Sequence, residues 1–136
     1  MATNATIILS FLALVFVVSG LSKASGNEKG LSGTRDVNVK DGIARVIGVF
    51  EALLALGLIL GLKWTWMAYF PLLGLWFFMA GAIFVHFRAG KGKTAFPAFF
   101  LLTLISIALV LILRSESQRN YYAISTPSRD LARYRR

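Results

Sequence analysis

Long apolar runs alternate with short polar segments along this chain, and that alternation sets the reading. The runs cover residues 4–21, 43–62, 64–87 and 95–113. A helix needs about 20 apolar residues to cross a bilayer, within a range of roughly 17 to 25. Each run meets that length, and each is too long and too uniformly apolar for a strand. The pattern predicts an all-α fold: a membrane four-helix bundle over residues 1–114, with a long polar loop between the first two helices. That loop, "SKASGNEKGLSGTRDVNVKD" at residues 22–41, is Gly-rich, and "GLSGTRDVNV" carries a weak signal for a turn or short hairpin. Lys63 and its neighbours alone join the second and third runs, so those two helices are expected to be antiparallel neighbours. Trp64, Trp66 and Tyr69 open the third run as interfacial aromatics do. Pro71 is expected to kink that helix, whereas Pro97 falls in the first turn of the fourth, where proline is tolerated. No Lys or Arg precedes the first run, so it reads as a span and not as a cleaved signal peptide. Residues 115–136 read as a basic tail, disordered or lying on the membrane surface.

Composition agrees with lipid as the solvent. Hydrophobic residues make up 57% of the 136 and charged residues only 15%, against roughly a quarter charged in soluble domains. The net charge of +9 sits in loops and tail, where bases flank spans and face anionic lipid. No nucleic-acid partner is expected, because no nucleic-acid-reading module accompanies the charge. The absence of cysteine removes disulfides, thiolate metal sites and cysteine nucleophiles. An even number of spans puts both termini on one side. Lys63 and six tail arginines lie there, against eight bases on the opposite, loop side. Base counting is nearly balanced. The tail concentrates its arginines with few acids, so we expect cytoplasmic termini in a bacterial plasma membrane.

The candidate chemistry gathers at the loop-side end. Glu51 lies inside "GVFEALLALGLILG" (48–61), and a carboxylate in apolar surroundings is costly unless paired or hydrogen-bonded. Gly48 and Ala55 keep one side of its helix small, and Gly57 and Gly61 add a G-x-x-x-G, so these four positions are expected to pack against another helix. The small run Ala80–Gly81–Ala82 offers the same on the third helix. Glu51 should therefore face the bundle interior. Lys23 and His86 are the best candidates to meet it, Ser19 offers a hydrogen bond, and Arg88 adds a cation nearby. This cluster of Ser19, Lys23, Glu51, His86 and Arg88 is either a structural ion-pair device or a binding site. No catalytic set assembles from the sequence. No metal site is expected, since His86 has no second His or Cys beside it.

Three segments together carry a family resemblance: "FVVSGLSKASG" (16–26), "RVIGVFEALLALGLILG" (45–61) and "AGAIFVHFRAG" (80–90). In that order and spacing they resemble the DoxX-like family of small four-helix membrane proteins, over about residues 6 to 114. The resemblance carries the family's pattern onto Ser19, Gly20, Lys23, Gly48, Glu51, His86 and Arg88. It implies a four-helix bundle and little about function. Some members look like quinone-coupled subunits of sulfur or thiol redox systems, and distant animal relatives act as receptor-assembly chaperones. A direct thiol-exchange role does not fit a chain without cysteine. The reading favoured from the sequence is a non-catalytic subunit or assembly factor of a larger membrane complex. It needs no cofactor, and its partners are the lipid bilayer and other membrane proteins or further copies of the chain. The alternative is a redox-linked or small-molecule site around Glu51, with quinone or lipid as the ligand.

Overall fold

The computed structural model describes residues 3–125. Its elements are α1 (Thr3–Ala24), α2 (Glu28–Arg35), α3 (Asp41–Lys63), a 3₁₀ turn (Thr65–Ala68), α4 (Tyr69–Arg88), a second 3₁₀ turn (Gly92–Ala95) and α5 (Phe96–Ser125). Four helical stretches, Thr3–Ala24, Asp41–Lys63, Thr65–Arg88 and Gly92–Ile124, are long and apolar enough to cross a membrane. They form a ring in which α1 packs on α3, α3 on α4, α4 on α5 and α5 on α1, with α1 and α3 the most closely knit pair.

A single spacing rule builds the interior. Buried positions recur every three and four residues: Ala5, Leu9, Leu12 and Phe16 on α1, Ala44, Gly48, Glu51, Ala55 and Leu58 on α3. Leu72, Leu75 and Met79 do the same on α4, and Ile105, Ala108 and Ile112 on α5. Such a stripe is the seam of a left-handed helical bundle. Large apolar residues off the seam, such as Phe11, Phe50, Phe77 and Phe84, are exposed, as expected where the surrounding solvent is hydrocarbon. Burial from water does not drive helix association there, so close packing and polar contacts must hold the ring.

Close packing is tightest between α1 and α3. A Cβ built on Gly20 would stand 2.6 Å from the Ala52 backbone nitrogen, and one on Gly48 would stand 2.7 Å from the Ala24 nitrogen. Neither backbone can yield, so the two helices touch where only glycine fits. Gly57 lies against Pro71 and Gly61 against Ala68, while Ala55 is fully buried in the core. Gly81 has nothing near it, and the α4 glycine that packs on α3 is Gly74, against Leu54.

The structure corrects the long polar loop. Residues 28–35 form a helix, α2, and no strand occurs among the described residues. The cause lies at Gly26 and Asn27. Gly26 takes φ +75°, which ends α1 in a Schellman motif: Asn27 N–H bonds to Ser22 O and Gly26 N–H to Lys23 O. Asn27 then caps α2, its side chain accepting from the Lys29 N–H. Leu31 anchors the helix, fully buried. Arg35 closes a two-pronged salt bridge to Asp41 at the start of α3, at 2.8 and 2.6 Å. This hydrogen bond, with the neighbouring charge, raises the Arg35 pKa further. Gly30 and Gly33 weaken the helical signal in the sequence, which is why the segment reads as a loop.

Two other boundaries differ. Pro71 is the third residue of α4 and follows the 3₁₀ turn, so it sits in a first turn, where its missing N–H breaks no helical bond. α5 runs on from 113 to Ser125. No Gly or Pro occurs between Pro97 and Pro127, so no residue interrupts the helix at the membrane edge. At about 45 Å it exceeds the hydrocarbon core of roughly 30 Å. The expected disorder at 126–136 lies outside the described residues.

Candidate polar site at the loop-side end of the bundle

Where the seams reach the loop side they turn polar. Continuing the α1 spacing from Phe16 gives Ser19 and Lys23, and the α4 spacing from Met79 gives Ala82 and His86. Counting back four residues from Ala98 gives Thr94, in the 3₁₀ turn that leads into α5. Glu51 itself occupies a seam position of α3, one turn after Gly48. The polar residues are thus members of the same stripes that form the core.

α1 and α3 run antiparallel, and side chains lean toward the N-terminus of their own helix. Lys23, in the last turn of α1, leans down into the bundle. Glu51 leans up toward the loop side. They meet at 2.7 Å between Lys23 Nζ and Glu51 Oε2, and the same ammonium donates to Glu51 Oε1 at 2.9 Å. Its third donor goes to Ser19 Oγ at 3.0 Å. The Ser19 hydroxyl in turn donates to Glu51 Oε2 at 3.2 Å. Lys23 has three N–H donors, and all are used. Glu51 is 2% exposed and Lys23 17%. No buried side-chain nitrogen or oxygen among the described residues lacks a hydrogen-bond partner. The level of the pair also follows from geometry. Gly48 lies beside Lys23 and Ala24 at the end of α1, so Glu51 is three residues, about 4.5 Å, below that end. The first two turns of α3 rise past α1 beside α2 and the Gly26 turn, where the Arg45 guanidinium rests on Gly26.

His86 is not part of this trio. Its Nδ1 lies 2.8 Å from Thr94 Oγ1, while the Thr94 hydroxyl donates to Lys91 O at 2.7 Å. Thr94 has one hydroxyl proton, so His86 Nδ1 must carry its own and donate. This pair ties α4 to α5, just as the trio ties α1 to α3. The turn between is a second Schellman motif, with Gly90 at φ +70° and Lys91 N–H bonded to His86 O. Arg88 is exposed at the end of α4 and reaches neither group. The sequence reading therefore named Lys23, Ser19 and Glu51, which the structure brings together, and His86 and Arg88, which it does not. Thr94, in the 3₁₀ turn before α5, was not named as the partner of His86, and its place four residues before Ala98 is the signal that points to it. Deeper in the membrane, Trp76 Nε1 donates to Ser106 Oγ at 3.2 Å, a further polar link between α4 and α5.

Two shallow cavities border this end. One, about 600 Å³, lies between α1 and α2, and Ser19 is part of its wall. The other, about 670 Å³, is lined by Phe87 and residues 90–94. No three His, Cys, Asp or Glu side chains gather as a metal cluster among the described residues.

Compared with known proteins, the chain matches the model of the DoxX-like family over residues 7–109. A search of curated proteins and of solved structures gives no match.

The trio generates an asymmetric prediction. Lys23→Met leaves a buried carboxylate without its cation and should cost about 3–5 kcal/mol in stability. Glu51→Leu leaves a lysine that can extend to the interface and should cost less. The double variant should recover most of the Lys23→Met loss. Reversible unfolding in micelles reads all three. Equal, additive losses would show that the pair does not couple.

Proposed function

The chain belongs to the DoxX-like family and is an integral membrane protein, and from that premise we propose that it is a non-catalytic subunit or assembly factor of a larger membrane complex. One observation carries the proposal: every donor of Lys23 is spent within the trio, on both oxygens of Glu51 and on Ser19. With its donors spent in this way, the ammonium serves to fix how α1 meets α3. The docking surface we favour is the end of α5. Beyond Glu116, which is half-buried and hydrogen-bonds to Tyr69 of α4, residues 117–124 are exposed, Tyr121 and Ile124 among them. Exposed aromatic and aliphatic side chains beyond the span suit a protein partner.

The second reading, a small-molecule or redox-linked site with quinone as the ligand, has one observation in its favour. Ser19, a member of the trio, also lines the groove between α1 and α2. Extraction in native lipid particles separates the two. On the first reading a defined membrane protein co-purifies in fixed ratio, cross-links to a photoreactive residue placed at Tyr121, and is lost when the chain is truncated after Arg114. Isolation of the chain alone, with a bound quinone that disappears in Glu51→Gln, would establish the second reading instead.

We further propose that both termini face the cytoplasm of a bacterial cell, the arginine-rich sequence after α5 being the guide. The chain has no cysteine, so single cysteines report cleanly. Ser117→Cys should react with an impermeant maleimide only after the cells are opened, and Ser32→Cys in intact spheroplasts. The opposite pattern would invert the topology.

A further inference from the structure

The groove between α1 and α2 changes character along its length. On α1, Leu14 and Val18 stand one turn apart and are exposed, with Val15 beside them. One turn further on the same face comes Ser22, at the membrane edge. From Leu14 to Ser22 the wall spans about 12 Å. Its upper end is closed by α2, which contributes Lys29, Ser32 and Gly33. Among the residues lining the groove there is one cation, Lys29, and no acid. The Lys29 side chain is exposed and enters no ion pair among the described residues. An apolar wall at membrane depth therefore runs into a rim of one ammonium and two hydroxyls at the interface. The groove is shallow and open, about 600 Å³, as suits a lipid lying along a helix and not a ligand enclosed in a cleft.

We infer that this groove seats one anionic phospholipid, with an acyl chain along Leu14, Val15 and Val18 and the phosphate at Lys29. Both halves of the molecule are matched: hydrocarbon against the α1 wall, and negative charge against the only cation of the lining. The inference stands whether or not the chain docks with a protein partner. It also gives α2 a role. Leu31 fixes the helix to the bundle, and Gly30 brings it against the Ser22 backbone, where a Cβ would stand 2.6 Å from the carbonyl carbon. This holds Lys29 over the mouth of the groove. The Ser19 hydroxyl, at the groove wall, joins the bound lipid's surroundings to the Lys23–Glu51 pair.

Gly33 makes a clean test possible. A Cβ there meets nothing within 4 Å, so Gly33→Leu is accommodated and adds bulk at the edge of the groove. Lys29→Glu reverses the rim charge without touching the wall. Gly81→Leu, also into open space, and Lys93→Glu, at the other basic turn, serve as controls. Each variant is reconstituted in nanodiscs of equimolar phosphatidylglycerol and phosphatidylcholine, and retained lipid is read by native mass spectrometry. The wild-type chain and both controls should retain one phosphatidylglycerol in preference to phosphatidylcholine. Lys29→Glu should reduce that retention about fivefold or more, as befits a basic residue at a membrane surface, and Gly33→Leu should reduce it at least as far. Wild-type retention in both groove variants would overturn the inference. So would equal retention of the two lipids, or loss confined to Lys93→Glu.

Discussion

The arrangement depends on an ammonium and a carboxylate approaching from antiparallel helices. In hydrocarbon, two apolar helices gain little by meeting, since lipid tails are as apolar as leucine. A carboxylate on a seam position is different, because it must find a partner or carry a large desolvation cost. Glu51 finds Lys23 and Ser19, and only one register of α1 on α3 satisfies it. Gly20 and Gly48 make that register possible by letting the backbones touch beside the pair. The glycines set the distance, and the ion pair sets the sliding and the rotation. The Schellman turn at Gly26 then ends α1 just beyond the pair, and the cap at Asn27 starts α2.

The same logic is repeated more weakly on the other side of the ring. His86 and Thr94 close α4 onto α5 at the same level, and Trp76 and Ser106 link the pair deeper down. Polar seam residues thus sit where two helices share a turn or a tight crossing. The interior between them is apolar and packed by Leu12, Phe16, Leu72, Leu75 and Ile105. At the far end, Tyr69 and Glu116 add a further hydrogen bond between α4 and α5.

The spans were legible because a bilayer imposes length and apolarity on each of them, and those properties are written in single residues. Glu51 and Lys23 stood out for the same reason: charge in such surroundings demands an explanation. His86 was harder. Its position at a helix end resembles that of Lys23, but α4 follows the ring to α5, so its neighbour is Thr94, and ring order is not written in any one run. The helix at 28–35 hid behind Gly30 and Gly33, and its decisive features were a left-handed glycine and an asparagine cap. The length of α5 was hidden by its charge: Arg114 marks the membrane edge, yet charge alone does not end a helix, and no breaker follows until Pro127.

The most direct test of this account is the Lys23–Glu51 contact in a bilayer. Magic-angle-spinning NMR on the full chain, with ¹⁵N at lysine Nζ and ¹³C at glutamate Cδ, reads nitrogen–carbon dipolar coupling across the pair. The account predicts strong coupling in the wild-type protein that disappears in both Lys23→Met and Glu51→Gln. Coupling absent in the wild type, or unchanged in Lys23→Met, would mean that α1 and α3 are held together by something else.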